Sequence, residues 1–365
     1  MRVLILSKAL VVGIYQRKLE CIAGLGVDLL ALVPPSWHDE RGEVPLERAY
    51  TDGYRLETLP IHRNGNYHLH YYEGLGAAIR RFKPEIVHID EEPYNLAAWQ
   101  ALWHARRAGA KTLFFSWQNI LRRYPPPFNW GERWMLNRVD YMIAGTDSAA
   151  EVWRAKGYRG RVAVIAQFGV DPDLFHPPEA KPERPFTIGC VARLVPEKGL
   201  IVLLHAVAQL GGDWRLRIVG GGPLRDDLEA LAALLGIADQ VTYISQIPST
   251  EMPAQYHEID VLVVPSLTMP NWKEQFGPRA TVEAMASGVP VVGSDSGAIP
   301  NVIGDAGMIV PEGDVEALAA ALYLLRNSPE MRAQLGWQGR VRVLTYYTHA
   351  GVAEATVEVY QEMLG

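Results

Sequence analysis

Short runs of consecutive apolar residues recur along this chain, separated by stretches with helical spacing. In the first half the runs are RVLILS (2–7), DLLALVP (28–34), IVHID (86–90), TLFFS (112–116), YMIAGT (141–146) and VAVIAQ (162–167). Helical patterns fall between them near residues 15–23, 71–82, 96–107 and 130–138. Strands apolar at consecutive positions bury both faces, as parallel strands covered by helices do. The pattern lapses over HPPEAKPERP (176–185), which is rich in proline and charge and reads as a linker. It restarts at TIGCVA (187–192) and continues through LRIVG, VTYIS, VLVVPS, VPVVGS and GMIVP, with an amphipathic helix over 351–363. The alternation predicts an α/β chain of two Rossmann-like domains, over 1–178 and 179–346, facing each other across a cleft. Ligands are then expected at the carboxyl ends of the strands.

Composition adds little to that picture but excludes some alternatives. At 365 residues, 48% hydrophobic and 21% charged, the chain has globular values and suits two domains. No apolar run approaches the ~18 residues of a membrane span, and the apolar N-terminus is broken by Lys8 and reads as a strand, not a signal peptide. Cys21 and Cys190 stand far apart in apolar contexts, which predicts reduced thiols and a cytoplasmic location. The net charge of −6 is uneven: 22 basic against 20 acidic residues over 1–180, and 13 against 21 over 181–365. A phosphate-binding site in the acidic half must therefore rely on local donors.

Candidate chemistry concentrates in WKEQFGPRATVEAMASGVPVV (272–292). Glu274 and Glu283 flank a Phe276-Gly277-Pro278 turn at the start of a buried helix, where exposed N–H groups attract an anion. Two readings fit: a sugar-diphosphate site, or a helix with an ordinary N-terminal acid and a solvated glutamate. A second signal is GCVARLVPEKGL (189–200), in which Arg193 follows a strand and Pro196 opens a helix with Lys198 in its first turn. A cation there opposes the helix dipole unless a bound polyanion offsets it. The alternative is a surface lysine paired with Glu197. The turn at Gly220-Gly221-Gly222 in IVGGGPLRDDLE (218–229) allows close backbone approach, a common feature of βα units.

Together these segments resemble the family 4 glycosyltransferases, retaining enzymes of the GT-B fold that use nucleotide sugars and need no metal. The resemblance rests on E-x-F-G followed by E-A-M-A-x-G-x-P-V-V and on G-R-L-x-x-x-K-G, with Ala192 where glycine is usual. It implies that Arg193 and Lys198 neutralise the donor phosphates, Glu274 contacts the donor sugar and Glu283 the ribose. Phe276, Gly277, Arg279, Gly221 and the backbone around Gln246 and Ile247 would complete the donor site. It also implies that the last helix, about 347–365, crosses back to the first domain. Eight residues, not seven, separate Glu274 from Glu283, and Pro278 is the natural insertion. Proline brings no N–H, so Arg279 would compensate with its own N–H or its guanidinium.

Toward the N-terminus, Ala9-Leu10-Val11-Val12-Gly13 stands where the family has a Gly-Gly loop, leaving Gly13 as the close-approach residue. The acceptor side would be built from the loops after IVHID and TLFFS, with Glu91, Glu92, Gln118 and Asn119 as candidates. Gln118-Asn119 replaces a His-Asp pair of many relatives, and neither amide can act as a base. That fits a mechanism in which the departing diphosphate takes the acceptor proton, and it also fits an altered acceptor pocket. The expected substrates are a UDP- or GDP-linked hexose and a hydroxyl acceptor, saccharide or lipid-linked. A sugar-nucleotide epimerase, a glycan phosphorylase and a silent sugar-nucleotide-binding protein are the alternatives. His62, His68 and His70 cluster without metal-ligand spacing. The basic, aromatic stretch LRRYPPPFNWGERWMLNR (121–138) suits either a docked helix or peripheral contact with an inner-membrane face. Nothing points to nucleic acid.

Overall fold

A computed structural model describes residues 1–365 other than 40–41, 181–182, 246, 248–250, 271 and 273–278. The chain forms two compact units: Met1–Gly169 with His349–Gly365, and Val170–Thr348. The first is built on a seven-stranded parallel sheet. From one edge its strands are Arg161–Val164, Tyr141–Ala144, Lys111–Ser116, Ile86–Asp90, Arg2–Ser7, Asp28–Val33 and Arg55–Thr58. Successive residues of each apolar run feed opposite faces. Leu4, Leu6, Leu30, Leu32, Val87 and Ile89 join one core, and Val3, Ile5, Leu29, Ala31, Val33 and Ile86 the other. That is why the runs do not alternate in polarity.

The second unit repeats the scheme with six parallel strands. Their order is Val241–Ile244, Trp214–Val219, Phe186–Val191, Val261–Val264, Val291–Ser294 and Gly307–Val310. Ile188, Cys190, Leu216, Ile218, Val261 and Val263 face one side, while Leu262, Val264 and Val291 face the other. Each fully buried leucine or valine of this kind contributes roughly 1.5–3 kcal/mol through its removal from water.

Helix ends follow local chemistry. Asn95 caps Leu96–Arg107 by accepting from the Ala98 N–H at 2.8 Å, and Asp314 caps Val315–Asn327 in the same way. The pattern expected over 71–82 becomes a two-residue strand, Tyr71–Tyr72, and a helix Leu75–Phe82 that starts after Gly74. The final helix, His349–Leu364, packs on the first unit. Ala353, Val357 and Tyr360 enter its core, and the Tyr360 hydroxyl shares a 2.7 Å hydrogen bond with His88 Nδ1. No helix among the described residues is long and apolar enough to cross a membrane.

Candidate active site

In the second unit the Phe186–Val191 strand delivers Arg193 and Lys198 just beyond its carboxyl end. Pro196–Lys198 is a single 3-10 turn, and the α-helix expected to begin at Pro196 begins instead at Leu200. Gly199 makes the break. Its φ is +65°, and a Cβ there would lie 1.8 Å from the Pro265 carbonyl oxygen, so only glycine fits. Arg193 is largely exposed, with its guanidinium 3.7 Å from Glu197. The Lys198 ammonium lies 4.7 Å from the centre of the Trp272 ring.

The glycine turn after Trp214–Val219 braces the loop that carries Arg193. Leu194 N–H donates to the Gly221 carbonyl at 2.9 Å, and Leu224 N–H to the Leu194 carbonyl at 3.1 Å. Gly220 has φ +140°, and a Cβ there would meet the Ala192 carbonyl oxygen at 2.0 Å. Gly221 itself faces open space. Arg193 and Lys198 thus follow one strand end whose first loop is braced by the glycine turn, an arrangement suited to a polyanion.

Of the Glu274–Glu283 segment, Glu274, Phe276, Gly277 and Pro278 lie outside the described residues, as does Gln246. Ile247 is half-buried against the core around Val264 and Val291. Helix Arg279–Ala286 follows, and Glu283 is buried within it. Its carboxylate accepts from the Tyr256 hydroxyl at 2.8 Å and from Arg279 Nε at 2.5 Å. Burial raises the Glu283 pKa, and Arg279 and Tyr256 partly offset it. Arg279 thus spends one donor on Glu283, and any contact of Glu283 with a ribose must use the remaining oxygen lone pairs.

In the first unit the three acids Asp90, Glu91 and Glu92, at and just after the end of Ile86–Asp90, separate into different environments. Pairing of Ser7 with Asp90 across the sheet lets the Ser7 hydroxyl donate to Asp90 at 2.6 Å, and Gln167 adds a second bond at 2.7 Å. Glu91 points inward and is buried. It pairs with the Lys8 ammonium, lies 3.3 Å from His70 Nε2, and accepts from Tyr72 at 3.0 Å and Asn95 at 3.1 Å. Burial opposes its charge, yet Lys8 and His70 outweigh burial and hold the carboxyl at about 2. Glu91 is therefore an internal anchor, and Glu92 is the less buried acid of the pair.

Glu92 accepts from the Ser116 hydroxyl at 2.6 Å and from the Trp117 N–H at 2.9 Å. Burial still pushes it up to about 7. Gln118 is buried and committed: its N–H donates to Ser116 Oγ, and its side chain to the Ile120 carbonyl at 3.0 Å. Asn119 is buried beside it. Gly13 is not open to a ligand through its amide, which donates to Glu47 at 2.8 Å. A Cβ there would meet Ala49 at 2.8 Å.

Lys8 and Lys156 carried no functional signal in the sequence, whereas His68 did. Lys8 read only as a break in an apolar run. Lys156, on helix Asp147–Ala155's C-cap, pairs with Glu132 at 2.5 Å and lies 5.0 Å from the Tyr124 ring. His68, one of the three clustered histidines, packs with Tyr94 (5.4 Å), Tyr124 (5.5 Å) and Phe128 (5.0 Å). Contacts between loops so distant in sequence leave no local signal. Among the described residues no group of three or more His, Cys, Asp or Glu side chains could hold a metal ion.

Comparison with known proteins places these features in a family. Residues 171–342 match the model described as "Glycosyl transferases group 1", and residues 15–167 match the "Glycosyl transferase 4-like domain". The chain belongs to the family 4 glycosyltransferases. Among glycosyltransferases it is 38% identical over 205 residues to the MMP alpha-(1->4)-mannosyltransferase of Mycolicibacterium hassiacum, covering 55% of this chain and 48% of that protein. It is 36% identical over 188 residues to the GDP-mannose-dependent alpha-(1-6)-phosphatidylinositol monomannoside mannosyltransferase of Mycolicibacterium smegmatis, covering 47% and 49%. The chain thus spans about half the length of the curated relatives it matches. A glycosyltransferase from Rickettsia africae superposes with a TM-score of 0.78 at 17% identity, covering 100% of this chain and 98% of that one. HepE from Anabaena, solved in complex with UDP, gives 0.76 at 17%, covering 99% and 100%. At that identity the likeness establishes the fold: the chain has the GT-B architecture of two Rossmann-like domains.

Proposed function

We propose that this glycosyltransferase moves a hexose from a UDP- or GDP-linked donor to a hydroxyl acceptor, with retention at the anomeric carbon. The observation that carries the reading is the placement of Arg193 and Lys198 beyond the carboxyl end of one strand, with the Arg193 loop braced by the Gly220–Gly222 backbone. As the bond from the anomeric carbon to the diphosphate oxygen breaks, negative charge builds on the leaving group. Two cations beside that oxygen are more useful then than in the ground state. The acceptor oxygen forms its bond to the same carbon from the same face, and its proton passes to the departing diphosphate. No metal is required by this scheme, because the charge is met by side chains and backbone donors. Glu274 contacts the donor-sugar hydroxyls, and Glu283 assists at the ribose.

On the acceptor side, Glu92 is the hydroxyl-orienting carboxylate, with Gln118 and Asn119 shaping the loop behind it. The half-buried Tyr94 and Tyr124 rings, 4.7 Å apart, provide a platform for the acceptor's sugar face. A saccharide or lipid-linked saccharide suits that chemistry. The relatives named for GDP-mannose and the UDP complex of HepE support the two donor classes. Trp130 is 66% exposed, and Leu121, Arg122 and Arg123 of the same stretch of sequence are exposed too, which supports peripheral contact of the first unit with an anionic membrane face. A cytoplasmic location fits the free cysteines Cys21 and Cys190. A thermal-shift screen with UDP, GDP, ADP and their hexose conjugates tests the donor reading. One nucleotide should raise the melting temperature through preferential binding to the folded state. No shift with any of them contradicts it.

A further inference from the structure

We propose that Trp272 is a positioning residue that holds the Lys198 ammonium in place for the donor diphosphate. The inference rests on the role given to Lys198 above. Three consecutive residues of the Lys198 turn are fastened to one loop, the one that follows the Val261–Val264 strand. The Leu267 N–H donates to the Glu197 carbonyl at 2.8 Å. The Lys198 ammonium lies 4.7 Å from the Trp272 ring centre. Gly199 sits against the Pro265 carbonyl so closely that no side chain fits.

The loop is itself closed. Met269 N–H donates to the Trp272 carbonyl at 2.8 Å, and Trp272 N–H returns a bond to the Met269 carbonyl at 3.1 Å. Trp272 is thereby fixed by its backbone while its half-buried ring faces the ammonium. An indole face attracts a cation by its quadrupole but takes no proton and forms no competing ion pair. It restrains the flexible lysine stem without neutralising its charge. A carboxylate in the same place would neutralise the charge that the leaving group needs.

The test is a double-mutant cycle in GDP and UDP affinity, measured by calorimetry on the full chain. Trp272→Ala should weaken binding of the preferred nucleotide about 5- to 30-fold, the range of a partly desolvated cation–π contact. In a Lys198→Ala background the same change should weaken it no further. Trp272→Phe, which keeps an aromatic face, should stay within about threefold of the wild type. Equal weakening by Trp272→Ala in both backgrounds, or none in the native background, overturns the inference. Unchanged affinity in Lys198→Ala alone would instead remove the Lys198 assignment and this inference with it. Melting curves in each variant show whether the loop still folds, and Trp272→Phe decides the matter if Trp272→Ala does not.

Discussion

Replacing Glu91 with alanine should damage the fold of the first unit far more than it damages ligand binding. Glu91 is one partner of a buried ion pair with Lys8, and it also satisfies the hydroxyl of Tyr72 and the amide of Asn95. Removing it leaves the buried Tyr72 hydroxyl and the partly buried Lys8 ammonium without this acceptor. Breaking one side of a buried pair typically costs about 3–5 kcal/mol. For a unit of about 150–250 residues each kcal/mol lowers the melting temperature by about 2–4 °C, so a fall on the order of 6–20 °C is expected. Glu91→Gln keeps an acceptor for Tyr72 and should lie between the alanine variant and the wild type. The pH dependence supplies a second check. The folded pKa near 2 lies below the ordinary glutamate value, so the folded state binds fewer protons than the unfolded one between those limits. The stabilisation is complete above that ordinary value and is lost as pH falls toward 2. Urea titrations at pH 7 and at pH 3 measure it, and Glu91→Gln should flatten the acid limb. A Glu91→Ala protein within about 1 kcal/mol of wild type would refute the burial argument.

Other consequences are as direct. Glu92 is raised to about 7 by burial, so its folded state binds more protons than its unfolded state between the ordinary value and 7. Stability should therefore decline as pH rises through that window, and Glu92→Gln should remove the decline in chemical-denaturation curves. If Glu92 orients the acceptor, the same substitution should raise the acceptor KM while leaving nucleotide affinity unchanged. Gly220→Ala must displace either its own backbone or the Ala192 carbonyl, at about 1–3 kcal/mol of strain. It should weaken nucleotide binding by moving the Arg193 loop, and calorimetry showing unchanged affinity would count against the bracing role.

The doubly wound sheets were legible because strands covered on both faces leave continuous apolar runs, as at 2–7 and 86–90. The helix at 96–107 could be bounded closely because Asn95 caps it and apolar periodicity continues to Arg107. The small hairpins Ser36–Asp39 with Gly42–Pro45, and Ile61–His62 with Tyr71–Tyr72, were not legible. They are short and mostly half-exposed, so no period-two pattern can build up. The site was legible as far as residue types go. Arg193 and Lys198 stand near a strand end as a polyanion clamp requires, although the 3-10 turn depends on Gly199 meeting a carbonyl 66 positions later. The difference between Glu91 and Glu92 was hidden. Adjacent acids look alike in sequence, and only Lys8, His70 and Tyr72 arriving from other segments make one of them internal.

The central claim is that Arg193 and Lys198 stabilise a departing nucleoside diphosphate. Release of nucleoside diphosphate from GDP-mannose and from UDP-glucose should be measured for the wild type, Arg193→Ala and Lys198→Ala. The wild type should turn over one of the two donors, and each variant should fall by about 10²–10³-fold in kcat, as expected when a transition-state charge partner is removed. Release by either variant at close to the wild-type rate would contradict the account.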